Sequence, residues 1–295
     1  MYIHEMKTIG LLNIDDCPCP GTHYAACMEF IEGFTGYGYT YSCIDNINNC
    51  KDKDILLLSN HKVSADILNK INDINPDAVY ILWSYYDYLN IIPFKKYILT
   101  GEQYYYPPTL VSHYKCYEIN QSFKNYVPLC LRANESPHNI GTYTKTYELD
   151  GCFMGTPYKP HWVQGLHNIL YHDITYGLLP YSKRRENYLK SRIGFGFHHD
   201  ANIANSHVTQ RIFEAMAYGC VVLSDNPAAR DMTGGIVEYV SSIDEFKLKY
   251  EYYLNNLDEC RKKELAGYEW IRKYGTNRYS AKLFLDKIIE LKYDK

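Results

Sequence analysis

The stretch Ser206-His207-Val208-Thr209-Gln210-Arg211-Ile212-Phe213-Glu214-Ala215-Met216-Ala217-Tyr218-Gly219-Cys220-Val221-Val222-Leu223-Ser224-Asp225 reads as a helix running straight into a strand. Ser206 is a good N-cap, Gly219 a good residue just past the C-terminus, and Cys220–Ser224 has the apolar run of a buried strand. Val208, Ile212, Ala215 and Gly219 fall at i, i+4, i+7 and i+11, one stripe for packing on a sheet. His207, Arg211, Glu214 and Tyr218 repeat that spacing on another face.

Around this segment the chain alternates. Upstream, Gly151–Gly155 reads as a strand, Trp162–Leu170 and Ser182–Lys190 as helices, and Ile193–His198 as a strand. Downstream, Val237–Val240 reads as a strand, and from Ile243 onward the pattern is helical. An earlier series has strands at Ile9–Ile14, Tyr39–Ile44, Asp54–Ser59, Ala78–Ser84 and Lys96–Thr100. Its helices start at Thr22 and run from Ser64 to Ile74. Lys115–Ile119 and Tyr126–Arg132 look like further strands before an irregular stretch, Asn134–Leu149. Continuous apolar runs alternating with helices predict two α/β halves with mostly parallel sheets. The expected domains are 1–140 and 150–278, with 279–295 a final helix. No internal sequence repeat links the halves.

Composition narrows the function. With 31 Lys plus Arg against 34 Asp plus Glu the formal charge is −3, so the chain lacks the basic surplus of a general nucleic-acid binder. The longest apolar runs fall far short of the roughly 18 residues that span a bilayer. The N-terminus has no apolar signal-peptide core, so a cytoplasmic location is the expectation. Ten cysteines in 295 residues are too few for a disulfide scaffold, and Cys27, Cys43, Cys130, Cys152 and Cys220 read as buried thiols.

A helix N-terminus offers free N–H groups and a positive dipole end. Ser206, His207, Val208 and Thr209 at that end, completed by Arg211, therefore suit a diphosphate. Glu214, one turn on, is placed to accept hydrogen bonds from a ribose. The competing reading is a solvated face on which Arg211 and Glu214 make a weak surface pair.

Arg211, Phe213-Glu214-Ala215-Met216-Ala217, Gly219 and Val221-Val222-Leu223-Ser224-Asp225 follow one another as in the nucleotide-binding segment of GT-B fold glycosyltransferases. The segment resembles the group 1 transferases of the spore-maturation (CgeB-like) type. Val208-Thr209-Gln210-Arg211 is also similar, more weakly, to a Val-Thr-Glu-Lys motif of α1,3-fucosyltransferases. The resemblance implies two Rossmann-like domains facing across a cleft, an acceptor domain first and a nucleotide-sugar domain second, with the last helix packing back on the first. It implies transfer from a nucleotide-diphosphate sugar, UDP or GDP, to the hydroxyl of a glycan or other acceptor, without a bound metal ion. Many retaining members carry a glutamate where Ser206 stands here, which leaves the stereochemistry open.

Other candidates belong with that site. Thr156 and Lys159 follow the strand Gly151–Gly155 and are placed to contact phosphates. His198, His199, Asp200 and Asn202 follow a strand at the sheet edge where α/β ligands bind, and strand alternation turns only one of the two histidines to the site. Asp225 is expected to cap locally. For the base of an inverting transfer, Glu102 follows the strand Lys96–Thr100, and Asp15 is its rival. Cys17, Cys19 and His23 lack the ligand number and spacing of a zinc site. The alternatives to transfer are a non-catalytic nucleotide-sugar or glycan binder of the same fold and a nucleotide-sugar epimerase.

Overall fold

The computed structural model describes residues 7–13, 21–59, 65–83, 93–100, 127, 133, 145–173, 179–204 and 206–293. These residues fold into two compact units, one holding those up to 133 together with 277–293, the other holding 145–276.

In the first unit, five short apolar runs form a parallel sheet: β1 (Lys7–Leu12), β2 (Tyr39–Ile44), β3 (Ile55–Leu58), β4 (Val79–Trp83) and β5 (Tyr97–Thr100), in the order β2-β1-β3-β4-β5. Ile55–Leu58 and Val79–Trp83 are buried throughout, as strands covered on both faces must be. One face is covered by α1 (Gly21–Glu32), which tightens into a 3₁₀ turn at Gly33–Tyr37, and the other by α2 (Ala65–Ile74). Cys43 lies on the edge strand β2 and is exposed, contrary to the expectation of a buried thiol. The other described cysteines, 27, 50, 152, 220 and 260, are buried and free.

The second unit repeats the plan. Its strands β6 (Leu149–Gly155), β7 (Ile169–Asp173), β8 (Ser191–Gly196), β9 (Val221–Ser224) and β10 (Glu238–Tyr239) are parallel, in the order β7-β6-β8-β9-β10. Numbered within each unit, both sheets read 2-1-3-4-5, although the two sequences show no repeat. Helices α3 (Tyr181–Lys190), α4 (Asp200–Ala204), α5 (Gln210–Ala217), α6 (Pro227–Met232), α7 (Ile243–Asn255) and α8 (Leu257–Tyr274) complete it. The last helix, α9 (Asn277–Tyr293), belongs to the first unit, where Ala281, Phe284 and Ile288 enter the core with Phe30 and Phe34.

Two local expectations are corrected. Trp162–Leu170 is not a helix. A 3₁₀ turn at Pro160–Trp162 leads through left-handed residues Gly165 (φ 83°) and Asn168 (φ 52°) into β7, and those dihedrals cannot continue a right-handed helix. Trp162 packs instead on Phe197 and Phe246. Ser206 is not the cap of the motif helix: its φ is 52°, and the N-cap is Thr209, three residues later. The helix ends as expected at Gly219 (φ 70°), whose N–H donates to Met216 O while Cys220 N–H donates to Ala215 O. This is the Schellman arrangement, which satisfies the last carbonyls.

Candidate active site

A sheet of order 2-1-3-4-5 reverses its winding beside its first strand, and ligands bind beyond the carboxyl ends of the strands at that point. In the second unit the reversal falls between β6 and β8, where Gly155 ends one strand and Phe197-His198 follows the other. Helix α5 reaches this position because its apolar stripe lies directly on glycines of β8. Ile212 packs against Gly196 and Ala215 against Gly194, so closely that neither glycine has room for a side chain.

Arg211 occupies the reversal point. Its Nη1 donates to Phe197 O at 2.9 Å, and its guanidinium lies 4.8 Å from the centre of the Phe153 ring. A β-carbon on Gly155 would stand 2.5 Å from the guanidinium carbon. Burial holds the Arg211 pKa below its ordinary value, which disfavours the charge and adds to the attraction of an incoming anion.

Glu214, one turn along, is buried and does not pair with Arg211. Its carboxylate meets Arg184 of α3 in a two-pronged ion pair, Nη2 to Oε1 at 3.0 Å and Nε to Oε2 at 3.3 Å, while Arg184 Nη1 donates to Leu179 O. The competing reading, a solvated face, does not hold at Glu214, which is buried against Arg184 of α3.

Beside the head of α5 lies a second cluster. Asp225, just after β9, accepts from the His198 backbone N–H (3.0 and 3.2 Å to its two oxygens), from His198 Nδ1 (3.0 Å) and from Lys159 Nζ (2.7 Å). His198 Nε2 lies 3.4 Å from Thr209 N and 3.3 Å from Thr209 Oγ1. With the Thr209 N–H donating to Nε2, the ring proton belongs on Nδ1, facing Asp225. Burial pulls the His198 pKa below its ordinary value, outweighing Asp225. For Asp225 burial acts upward, but the bonds from His198 and Lys159 prevail and the carboxyl titrates below its ordinary value. Lys159 is further flanked by Asp200 (3.6 Å) and Trp162 (5.4 Å to the ring).

The structure therefore brings together Arg211, Lys159, His198 and Thr209, with Glu214 one turn deeper. Thr156 follows β6 and is half-buried. The backbone oxygen of His207 accepts from Asn226 Nδ2 at 2.8 Å, and the Val208 side chain is in the core. His199, unlike His198, is exposed and edges onto Tyr158. Asp225 does not cap α6; Asn226 does, accepting from Ala228 N–H at 3.0 Å. Glu102 and Asp15 lie outside the described residues, as do Cys17, Cys19 and Cys130. Among the described residues no group of three or more His, Cys, Asp or Glu could hold a metal ion, and no helix is long and apolar enough to cross a membrane.

The profile of the glycosyl transferase-like family matches residues 144–286. The matched segment coincides with the described part of the second unit and runs on into α9. No curated protein matches the sequence of the chain. Among solved structures, an α-glucosyltransferase in complex with UDP and a 13-mer DNA containing a HMU base is similar at a TM-score of 0.66. It is 10% identical, over 96% of this chain and 100% of that one. AviGT4, a glycosyltransferase involved in avilamycin A biosynthesis, is similar at 0.52, with 11% identity over 98% and 99%. These likenesses show the fold, the two-domain GT-B type.

Sequence reading missed three contacts of this site. Arg184 was signalled only by the cationic run Lys183-Arg184-Arg185. The contact of Gly155 with Arg211 has no local sign in the sequence. Asp225 gave no local sign of its ties to residues 27 and 66 positions away.

Proposed function

We propose that the protein transfers a glycosyl group from a nucleotide-diphosphate sugar to an acceptor hydroxyl, with the donor bound beyond the carboxyl ends of β6 and β8. The observation that carries this reading is the half-buried Arg211 guanidinium, packed against Gly155 and over the Phe153 ring at the winding reversal, at the start of a helix with no acidic residue in its first turn.

The chemistry follows from charge. When the bond between the anomeric carbon and the diphosphate oxygen breaks, the leaving group gains negative charge. Arg211, Lys159 and the N-terminus of α5, with Thr209 and the neighbouring backbone of Ser206, His207 and Val208, stabilise it without a metal ion. Thr156 adds a hydroxyl contact, and His198 fixes Thr209. Glu214, oriented by Arg184, keeps lone pairs for the ribose hydroxyls. The acceptor oxygen bonds to the anomeric carbon, and Glu102, or else Asp15, takes its proton if the reaction inverts. The first unit is the acceptor side. UDP or GDP is the donor nucleotide, UDP being what the similar α-glucosyltransferase holds. The acceptor is a glycan or other hydroxyl compound rather than nucleic acid, in keeping with a net charge of −3.

Thermal shift against UDP, GDP, CDP and dTDP and their sugars, followed by donor turnover with glycan and hydroxymethylated DNA acceptors, tests this. Stabilisation by one nucleotide family, with slow donor hydrolysis and transfer to a glycan, is expected. Binding without any turnover would indicate a non-catalytic binder, interconversion of the sugar without acceptor an epimerase, and no binding would end the reading.

A further inference from the structure

Asp225 is more heavily engaged than any other acid at the site. Its side chain is 2% exposed, and its two oxygens receive the His198 N–H, His198 Nδ1–H and Lys159 Nζ. Three donors make four close contacts with a carboxylate that has about four lone-pair positions, which leaves Asp225 little capacity for a ligand. The turn after β9 does not need it either, since Asn226 caps α6. What Asp225 does reach is both sides of the α5 head: through His198 Nε2 it fixes Thr209, and through an ion pair it fixes Lys159.

We propose that Asp225 is a positioning residue of the donor site, holding His198 in the Nδ1–H tautomer that anchors Thr209 and holding Lys159 beside the same helix end. The proposal rests on the reading of that end as the diphosphate site. Lys159 is thereby held at 2.7 Å from Asp225, nearer than the exposed Asp200 at 3.6 Å, and the helix N-terminus and the cation meet the diphosphate already oriented. An orienting acid of this kind contributes without touching the reacting atoms, because it removes the wrong tautomer and the wrong rotamer before binding.

The test is Asp225→Asn in the full chain. The amide has one oxygen and must turn its NH₂ to either His198 or Lys159, so it cannot serve both. The tautomer of His198 is read from histidine ring ¹⁵N–¹H spectra, its signal assigned by its loss in His198→Gln, and nucleotide affinity is measured with UDP and GDP. Tyr147→Phe is the control: it removes the bond to Glu264 (2.7 Å) below the amino end of β6 and touches nothing at the donor end. Expected are an Nδ1–H signal in the wild type that shifts in Asp225→Asn, and affinity at least tenfold weaker in that variant, while Tyr147→Phe loses stability and keeps its affinity. An unchanged His198 tautomer, or an affinity loss no greater than that of Tyr147→Phe, overturns the proposal. A shifted tautomer with affinity intact overturns the positioning role alone, whereas a wild type that binds neither nucleotide overturns the donor-site reading beneath it.

Discussion

The guanidinium of Arg211 rests on the α-carbon of Gly155, in space that a single methyl group at residue 155 would occupy. The two residues are far apart in sequence and belong to different elements, the end of β6 and the first turn of α5, yet neither position makes sense without the other. Gly155→Ala is expected to fold, because the atoms in the way are the far end of a flexible side chain, at a cost of about 1 kcal/mol. It should weaken nucleotide binding about tenfold by displacing Arg211, as titration calorimetry with UDP and GDP would read. Unaltered affinity would show that Arg211 can move without consequence.

Arg211→Lys is expected to behave almost like Arg211→Ala. An ammonium cannot donate to Phe197 O, sit over the Phe153 ring and still present a second N–H to a phosphate, as the planar fork can. Both variants should lose tenfold or more in affinity, and a lysine variant that binds like wild type would refute the geometric account.

The Arg184–Glu214 pair, with side chains 12% and 5% exposed, should be strongly coupled. Arg184→Met or Glu214→Leu alone leaves a buried charge without its partner, with an expected loss of about 3–5 kcal/mol. The double variant should lose far less than the sum. Urea unfolding of the four proteins gives the coupling energy directly, and additive losses would mean that the pair is not a unit.

Stability should fall on acidification in two steps. His198 is held below its ordinary 6.5 in the folded chain by burial, so below about that pH the unfolded chain takes up a proton the folded one resists. Asp225 is held below its ordinary 3.8, adding a second loss at lower pH. Both contributions are present at neutral pH and vanish as pH drops. Melting temperature followed from pH 8 to 3 should show this, and His198→Gln should flatten the upper step.

The alternation of apolar runs and helical spacing is enough to predict two parallel α/β halves, and Ile212 and Ala215 of the expected stripe do face the sheet, with Val208 buried ahead of the helix. Spacing misleads where it fits two structures. Trp162, Val163, Leu166 and Leu170 have helical spacing, but Gly165 and Asn168 take left-handed dihedrals, and Ile169–Asp173 pairs with β6. Ser206 has the chemistry of an N-cap and loses the position to Thr209, whose hydroxyl lies beside His198.

By itself, then, the sequence determined most of the elements, their order and the polar and apolar faces of α5, because the period of apolar side chains is local information. Only the tertiary structure decided which partners those residues keep. Arg211 on Gly155, Glu214 on Arg184, and Asp225 between His198 and Lys159 are contacts across tens of residues. Each depends on how closely strands and helices approach one another, a distance fixed by packing and written in no short stretch of chain.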